Sequence, residues 1–271
     1  MSILSTEPLE METEELTSYS HYANGEWQRS SSRLPDEMLL HIFVNDFELV
    51  SILCTPEKLN YMLIGYLLSE GFIDSIDEIT LMRVCLKEAI AEVRLNHQIT
   101  SIPTARILTS GCGGGATFDQ GTNIQPLDSG WCVSPAQILS SVKVLQRKSE
   151  NRGENNSVRR GLHASALSDG DNIIVRADDI GRHNTLDKIR GECTFNRIPT
   201  EDLLLVTTGR ISSEMLVKVA KMGIPVVASI NSATRRAVSL GAELGITVVG
   251  YASGNRLSVF SGEERLLVAA N

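Results

Sequence analysis

Apolar and polar residues change rhythm several times along this chain, and each change of period predicts an element. Residues 1–33 are rich in Ser, Glu and Thr with little periodicity, which predicts an N-terminal tail able to add an edge strand. From Leu34 the pattern tightens. "LLHIFVNDFELVSIL" (39–53) is two β-rich runs around Asn45–Asp46, a hairpin signal. "TPEKLNYMLIGYLLSEGFI" (55–73) carries Leu59, Met62, Leu63, Tyr66 and Leu67 at helical spacing, with Thr55 expected as N-cap, Pro56 at the first helical position and Gly71 as the stop. Strands are predicted at Ile79–Val84 and Ala91–Leu95, which completes a small α+β unit over 34–106.

Alternation sharpens again after Gly161. "HASALSDGDNIIVRA" (163–177) predicts a hairpin turned on Asp169–Gly170. A helix is expected near Asn184–Arg190, a strand at Leu203–Thr207, a helix at Ser213–Lys221, a strand at Val226–Ile230, a helix at Ala233–Leu244 and a strand at Ile246–Tyr251. Gly223 and Gly245 stand where the last two helices must end. The fold class is therefore α/β with an α+β N-terminal part: a layered sheet with parallel strands over 134–271, joined to the first unit by a glycine-rich linker over 107–133.

Composition narrows the function classes. The 271 residues are 42% apolar and 21% charged, with a net charge of -8, so no general electrostatic footprint for nucleic acid is present. The longest apolar runs fall far short of a bilayer span, and the acidic N-terminus lacks the basic and apolar regions of a secretory signal. A cytoplasmic location without membrane contact is expected. Five scattered cysteines (Cys54, Cys85, Cys112, Cys132, Cys193) do not form a disulfide framework, and CxxC, HExxH and deaminase-type zinc signatures are missing. No protein-ligated metal is expected.

Candidate chemistry gathers where strands end, since ligands of α/β sheets bind beyond the carboxyl ends of the strands. "TTGRISSEM" (207–215) offers Thr208, Gly209, Arg210 and Ser212 to an anion, or simply turns the chain and caps a helix. "SINSATRRA" (229–237) repeats the arrangement with Asn231, and "GYASGNRLSVF" (250–260) ends a strand in a turn carrying Arg256 or is only a hairpin. "DDIGRHNTLDK" (178–188) crowds seven hydrogen-bonding side chains around a helix start, and His163 and His183 are acid/base candidates or structural residues. "TSGCGGGA" (109–116) seats one thiol, Cys112, among four glycines: an exposed reactive cysteine, or a surface turn with an incidental one.

"TPEKLNYMLIGYLLSEGFI", "TSGCGGG", "GLHASAL", "DDIGRHNTLDK", "TTGRISSEMLVKVAKMGIPVVAS" and "GITVVGY" resemble, in that order, the FdhD proteins, the formate dehydrogenase accessory sulfurtransferases, over about Glu37–Phe260. The resemblance implies a small N-terminal α+β domain, a C-terminal cytidine-deaminase-like three-layer α/β domain, and a homodimer. It implies that Cys112 accepts persulfide sulfur from a cysteine desulfurase and passes it to the molybdenum bis(molybdopterin guanine dinucleotide) cofactor for formate dehydrogenase. The family's cofactor-binding stretch falls on Tyr251, Ala252, Ser253, Gly254, Asn255 and Arg256, with Thr208, Gly209, Arg210, Ser212, Asn231, His163 and His183 as further contacts to that cofactor.

This chain departs from the family pattern at several places. Gly115 stands where the family has a second loop cysteine, Arg159–Arg160 replace smaller residues, and Ala252–Ser253 occupy the place of the customary arginine. A single cysteine still holds a persulfide, but a thiol from elsewhere must resolve it. The rival reading is a cofactor-binding chaperone for formate dehydrogenase that moves no sulfur. Nucleotide deamination, suggested by fold analogy, lacks its zinc and glutamate signature.

Overall fold

The first part of the chain builds β1 (Leu4–Thr6), β2 (Thr17–Ala23), β3 (Glu26–Ser32), β4 (Met38–Val44), β5 (Phe47–Cys54), α1 (Leu59–Ser69), β6 (Ile79–Cys85) and β7 (Ile90–Leu95). The structure, a computed structural model, describes residues 4–6, 16–99, 107–108, 116–117, 124–148 and 161–267. One sheet runs in the order β1-β6-β7-β4-β5. The β4–β5 hairpin turns as predicted, with Asn45 and Asp46 both left-handed at φ 48° and 72°. That is the backbone of a tight hairpin turn, which Asn and Asp tolerate without the usual glycine. Ahead of it, β1 joins the sheet edge parallel to β6, and residues 17–32 form a separate hairpin turned on Asn24–Gly25. Residues 17–32 are thus a hairpin of their own and not an aperiodic tail, because Asn24–Gly25 supplies the left-handed pair that a tight turn needs.

α1 starts at Leu59 after a left-handed Lys58, so Thr55 is not its N-cap and Pro56 lies outside it. The reason is that Thr55 is used elsewhere: its N–H donates to Asp179 Oδ2 (3.1 Å) and its hydroxyl accepts from Ile180 N (3.1 Å). Gly71, at φ 74°, ends the helix as expected, and Phe72 N reaches back to Leu67 O (2.9 Å). The helix is apolar on every side because it is covered on every side, by its own sheet and by the second unit. Met62, Leu63 and Leu67 are fully buried, and each such side chain contributes about 1.5–3 kcal/mol.

The second part contains β8 (Ile107–Leu108), β9 (Ala116–Thr117), α2 (Pro135–Lys148), β10 (His163–Ser168), β11 (Ile173–Asp179), α3 (Arg182–Asn196), β12 (Leu204–Thr207), α4 (Ser213–Lys221), β13 (Val226–Ser229), α5 (Arg235–Glu243), β14 (Thr247–Ser253) and β15 (Arg256–Ser261). Its sheet has the order β11-β10-β12-β13-β14-β15. Only β12, β13 and β14 run parallel; the sheet is mixed rather than parallel because β10–β11 and β14–β15 are hairpins, which tight turns force to be antiparallel. α2 was not anticipated. It opens on a capping box in which Gln137 N donates to Ser134 Oγ (3.2 Å) and Ser134 N donates to Gln137 Oε1 (3.0 Å).

α2 covers one face of this sheet with Ile138, Val142 and Leu145, while α3, α4 and α5 cover the other with Leu186, Ile189, Met215, Leu216 and Ala237. Three layers result. The two units meet where α1 crosses α3. A Cβ on Gly65 would lie 1.9 Å from Asp187 O, and one on Gly191 would lie 1.8 Å from Tyr61 O, so only glycine lets the two backbones approach this closely.

Candidate functional site

The carboxyl ends of β12 and β13 are level, with Thr207 opposite Ser229, and β14 ends beside them. β10 runs the other way, which brings its first residue, His163, to the same edge opposite Asp179 at the end of β11. Three residues further on, α3 begins and puts Arg182 and His183 there as well. Sequence segments spread between His163 and the end of β14 thus share one rim.

Hydrogen bonds zip the rim loops together. Ile211 N donates to Ser232 O (3.1 Å) and Thr234 N to Ile211 O (2.9 Å). Asn231 Nδ2 donates to Thr208 O (2.8 Å), Ser229 Oγ to Gly209 O (2.7 Å), and Tyr251 N to Asn231 O (3.0 Å). At the other end Ala164 N donates to Thr208 Oγ1 (2.9 Å). Thr208, Gly209, Asn231 and Tyr251 are consequently fixed by backbone contacts. A Cβ on Gly209 would meet Arg182 Cβ at 2.9 Å, so the arginine stem lies directly on this glycine.

Charge on the rim is mostly positive. His163 is half-buried; burial, then the charges of Arg182 and His183, hold its imidazole below the ordinary value, with Asp179 opposing. It is a neutral acceptor or donor near neutral pH. His183 Nε2 lies 3.2 Å from Glu214 Oε2 and 3.5 Å from Ser212 Oγ, and its hydrogen bond keeps the Glu214 carboxyl below its usual range. Arg210 is exposed at the loop crest.

Among the other expected contacts, Tyr251 is exposed, with a left-handed φ of 53° that an aromatic residue rarely adopts, and its ring stands edge-on to Phe260 at 6.1 Å. Ser253, Gly254, Asn255 and Arg256 form the exposed β14–β15 tip. Ala252 is different: its side chain is fully buried in the apolar layer beneath α2, so it shapes the strand and offers no side-chain contact at the rim. Cys112, with Arg106, Arg159 and Arg160, lies outside the described residues; β8 and β9, paired Ile107 to Thr117 and Leu108 to Ala116, bracket the stretch that carries it.

"DDIGRHNTLDK" divides in two. Arg182 and His183 face the rim, whereas Asp178, Asp179, Asn184, Asp187 and Lys188 are buried structural groups. Asp179 accepts from Thr55 N, Gly181 N (2.8 Å), Asn184 Nδ2 (2.8 Å) and Lys188 Nζ (2.6 Å), while Lys218 grips Asp187 at 2.6 and 2.7 Å. Arg182 and Glu214 were not singled out as site residues from sequence. The available signal for Arg182 was its place between Gly181 and His183 at a helix start. Among the described residues no group of three His, Cys, Asp or Glu side chains is placed to hold a metal ion, and no helix is long and apolar enough to cross a membrane.

Residues 35–267 match the model of the FdhD/NarQ family. The chain belongs to that family. It is 34% identical over 252 residues to the sulfur carrier protein FdhD of Staphylococcus aureus strain MRSA252, covering 91% of this chain and 94% of the relative, and matches the protein of strain Newman equally. The fold is shared with a crystal structure from Desulfotalea psychrophila named as a formate dehydrogenase accessory protein, with a TM-score of 0.75 at 24% identity, covering 93% of this chain and 99% of the other. Family membership accounts for the ordered motifs. The FdhD/NarQ match spans both units, so the Cys112 segment and the rim both fall within it.

Proposed function

We propose that this chain carries sulfur for the maturation of formate dehydrogenase, with Cys112 as the carrier and the carboxyl-edge rim as the seat of the molybdenum bis(molybdopterin guanine dinucleotide) cofactor, its substrate. The observation that carries this reading is the similarity, over nine-tenths of the chain, to relatives named sulfur carrier protein. The rim adds chemistry suited to such a substrate: an arginine, two histidines, zipped loops and helix starts for phosphates, and an exposed aromatic ring for a base. The second unit's three layers agree with a cytidine-deaminase-like arrangement.

Loading is a thiol exchange. The Cys112 thiolate attacks the terminal sulfur of a cysteine desulfurase persulfide, a new S–S bond forms, and the desulfurase leaves as its thiolate with no net redox change. Delivery as sulfide needs two electrons. A second thiol supplies them by attacking Cys112 Sγ, releasing sulfide to the metal centre and leaving a disulfide with Cys112. Gly115 removes the loop thiol that would otherwise serve, so the resolving thiol belongs to a partner protein or a second protomer of a homodimer. Cys54 and Cys193 are poor carriers, since burial pushes both thiols up to about 12.

The same rim without the sulfur step would make a cofactor chaperone, and Gly115 favours that second reading. Replacement of Cys112 by alanine separates the two in a strain dependent on this protein. Loss of formate dehydrogenase activity supports the carrier; full activity supports the chaperone.

A further inference from the structure

Three helices begin at the rim, and they are not equivalent. Ser212 accepts from Met215 N (3.3 Å) and Thr234 from Ala237 N (3.2 Å), so side chains engage the first turns of α4 and α5. α3 begins after Gly181, which offers no side-chain cap, so among the described residues no N-cap side chain engages its first-turn N–H groups. The first residue of α3 is Arg182.

Arg182 is 9% exposed, and its Nε is buried without a hydrogen-bond partner among the described residues. The neighbouring carboxylates have closer partners: Asp179 pairs with Lys188 at 2.6 Å, and Glu214 lies 3.2 Å from His183 Nε2, with the Arg182 charge a lesser influence on it. Gly209 is bare where the arginine stem crosses it. A buried guanidinium with no carboxylate in salt-bridge contact among the described residues, and with its Nε lacking a partner there, costs stability, so its retention at this helix end suits an anion from outside.

The geometry points to an oxyanion subsite at the start of α3, with the Arg182 guanidinium as its cation, the uncapped helix N–H groups as donors and His163 and His183 at its flanks. The ligand class is a phosphate group, because the planar fork of arginine and a helix N-terminus both match phosphate oxygens. This rests on the reading of the rim as the cofactor seat, where the phosphate is part of a guanine dinucleotide arm. Arg182 holds that group, and exposed Arg210 only steers it.

Calorimetric titration of the full chain with inorganic pyrophosphate and with GDP tests the subsite in wild type, Arg182→Gln, Arg182→Lys and Arg210→Gln. Arg182→Gln is expected to lose roughly tenfold or more in affinity for both probes, Arg182→Lys less, and Arg210→Gln least. Pyrophosphate should raise the melting temperature of the wild type and leave that of Arg182→Gln unmoved, while the ligand-free variant melts no lower than wild type because it no longer buries an unpaired charge. Wild-type affinity in Arg182→Gln, or a lower melting temperature with an intact ligand shift, overturns the subsite. A protein that takes pyrophosphate through Arg182 but not GDP keeps the subsite and sinks the guanine-dinucleotide reading. Binding of neither probe overturns the subsite, while sulfur loading of Cys112, read separately, decides the carrier function.

Discussion

The Lys188 ammonium lies 2.6 Å from the Asp179 carboxylate, and both side chains are completely sealed from solvent. Lys188 also donates to Thr55 O (3.1 Å) and Asp178 O (3.2 Å), so one buried cation joins β5's exit, the end of β11 and α3. Truncating it leaves Asp179 charged and buried without its counter-ion. Lys188→Ala is expected to cost about 3–5 kcal/mol of folding stability, read as a shift in the chemical denaturation midpoint. A loss under 1 kcal/mol would show that water or a rearranged partner replaces the lysine.

The α1–α3 crossing makes a second prediction. A methyl group at Gly65 or Gly191 would run into backbone oxygens of the facing helix, which cannot rotate away as a side chain can. Gly65→Ala and Gly191→Ala should each lower stability by about 1–3 kcal/mol or more, and the helices must separate to accept them. Gly130→Ala, where a Cβ meets nothing, serves as the control that thermal melting should leave unchanged.

His163 gives the rim a pH signature. Its folded-state pKa lies below the ordinary value of 6.5, chiefly through burial. As pH falls below that value the unfolded chain takes up the proton first, so the unfolded state binds more protons and stability declines until the folded-state value is passed. Denaturation at pH 7.5 and pH 5.5 should therefore show a larger loss in wild type than in His163→Gln. Equal losses in the two proteins would place the imidazole in a more open setting.

Much of this was readable from local pattern. The turns at Asn45–Asp46 and Asp169–Gly170, the α4 limits Ser213–Lys221 and the stops at Gly71, Gly223 and Gly245 follow from short-range chemistry and appear where it puts them. Two local signals were present and unread: Asn24–Gly25, and Ser134 with Gln137 three residues later. Thr55 shows the limit of local reading, because a competing donor 125 residues away, Ile180 N, takes the hydroxyl oxygen that would have capped α1. The rim was legible as three separate strand ends, but the split of "DDIGRHNTLDK" into a buried lock and a rim-facing pair, Arg182 and His183, needed the crossing of α1 over α3, which no periodicity encodes.

The central claim is that Cys112 carries the sulfur, and mass spectrometry of the full chain after incubation with a cysteine desulfurase and cysteine tests it most directly. A gain of one sulfur atom on the peptide containing Cys112, absent in Cys112→Ala and absent from the buried Cys54 and Cys193 in both proteins, is the predicted result. Sulfur found on another cysteine, or none on Cys112 under conditions that load an established acceptor, would contradict it.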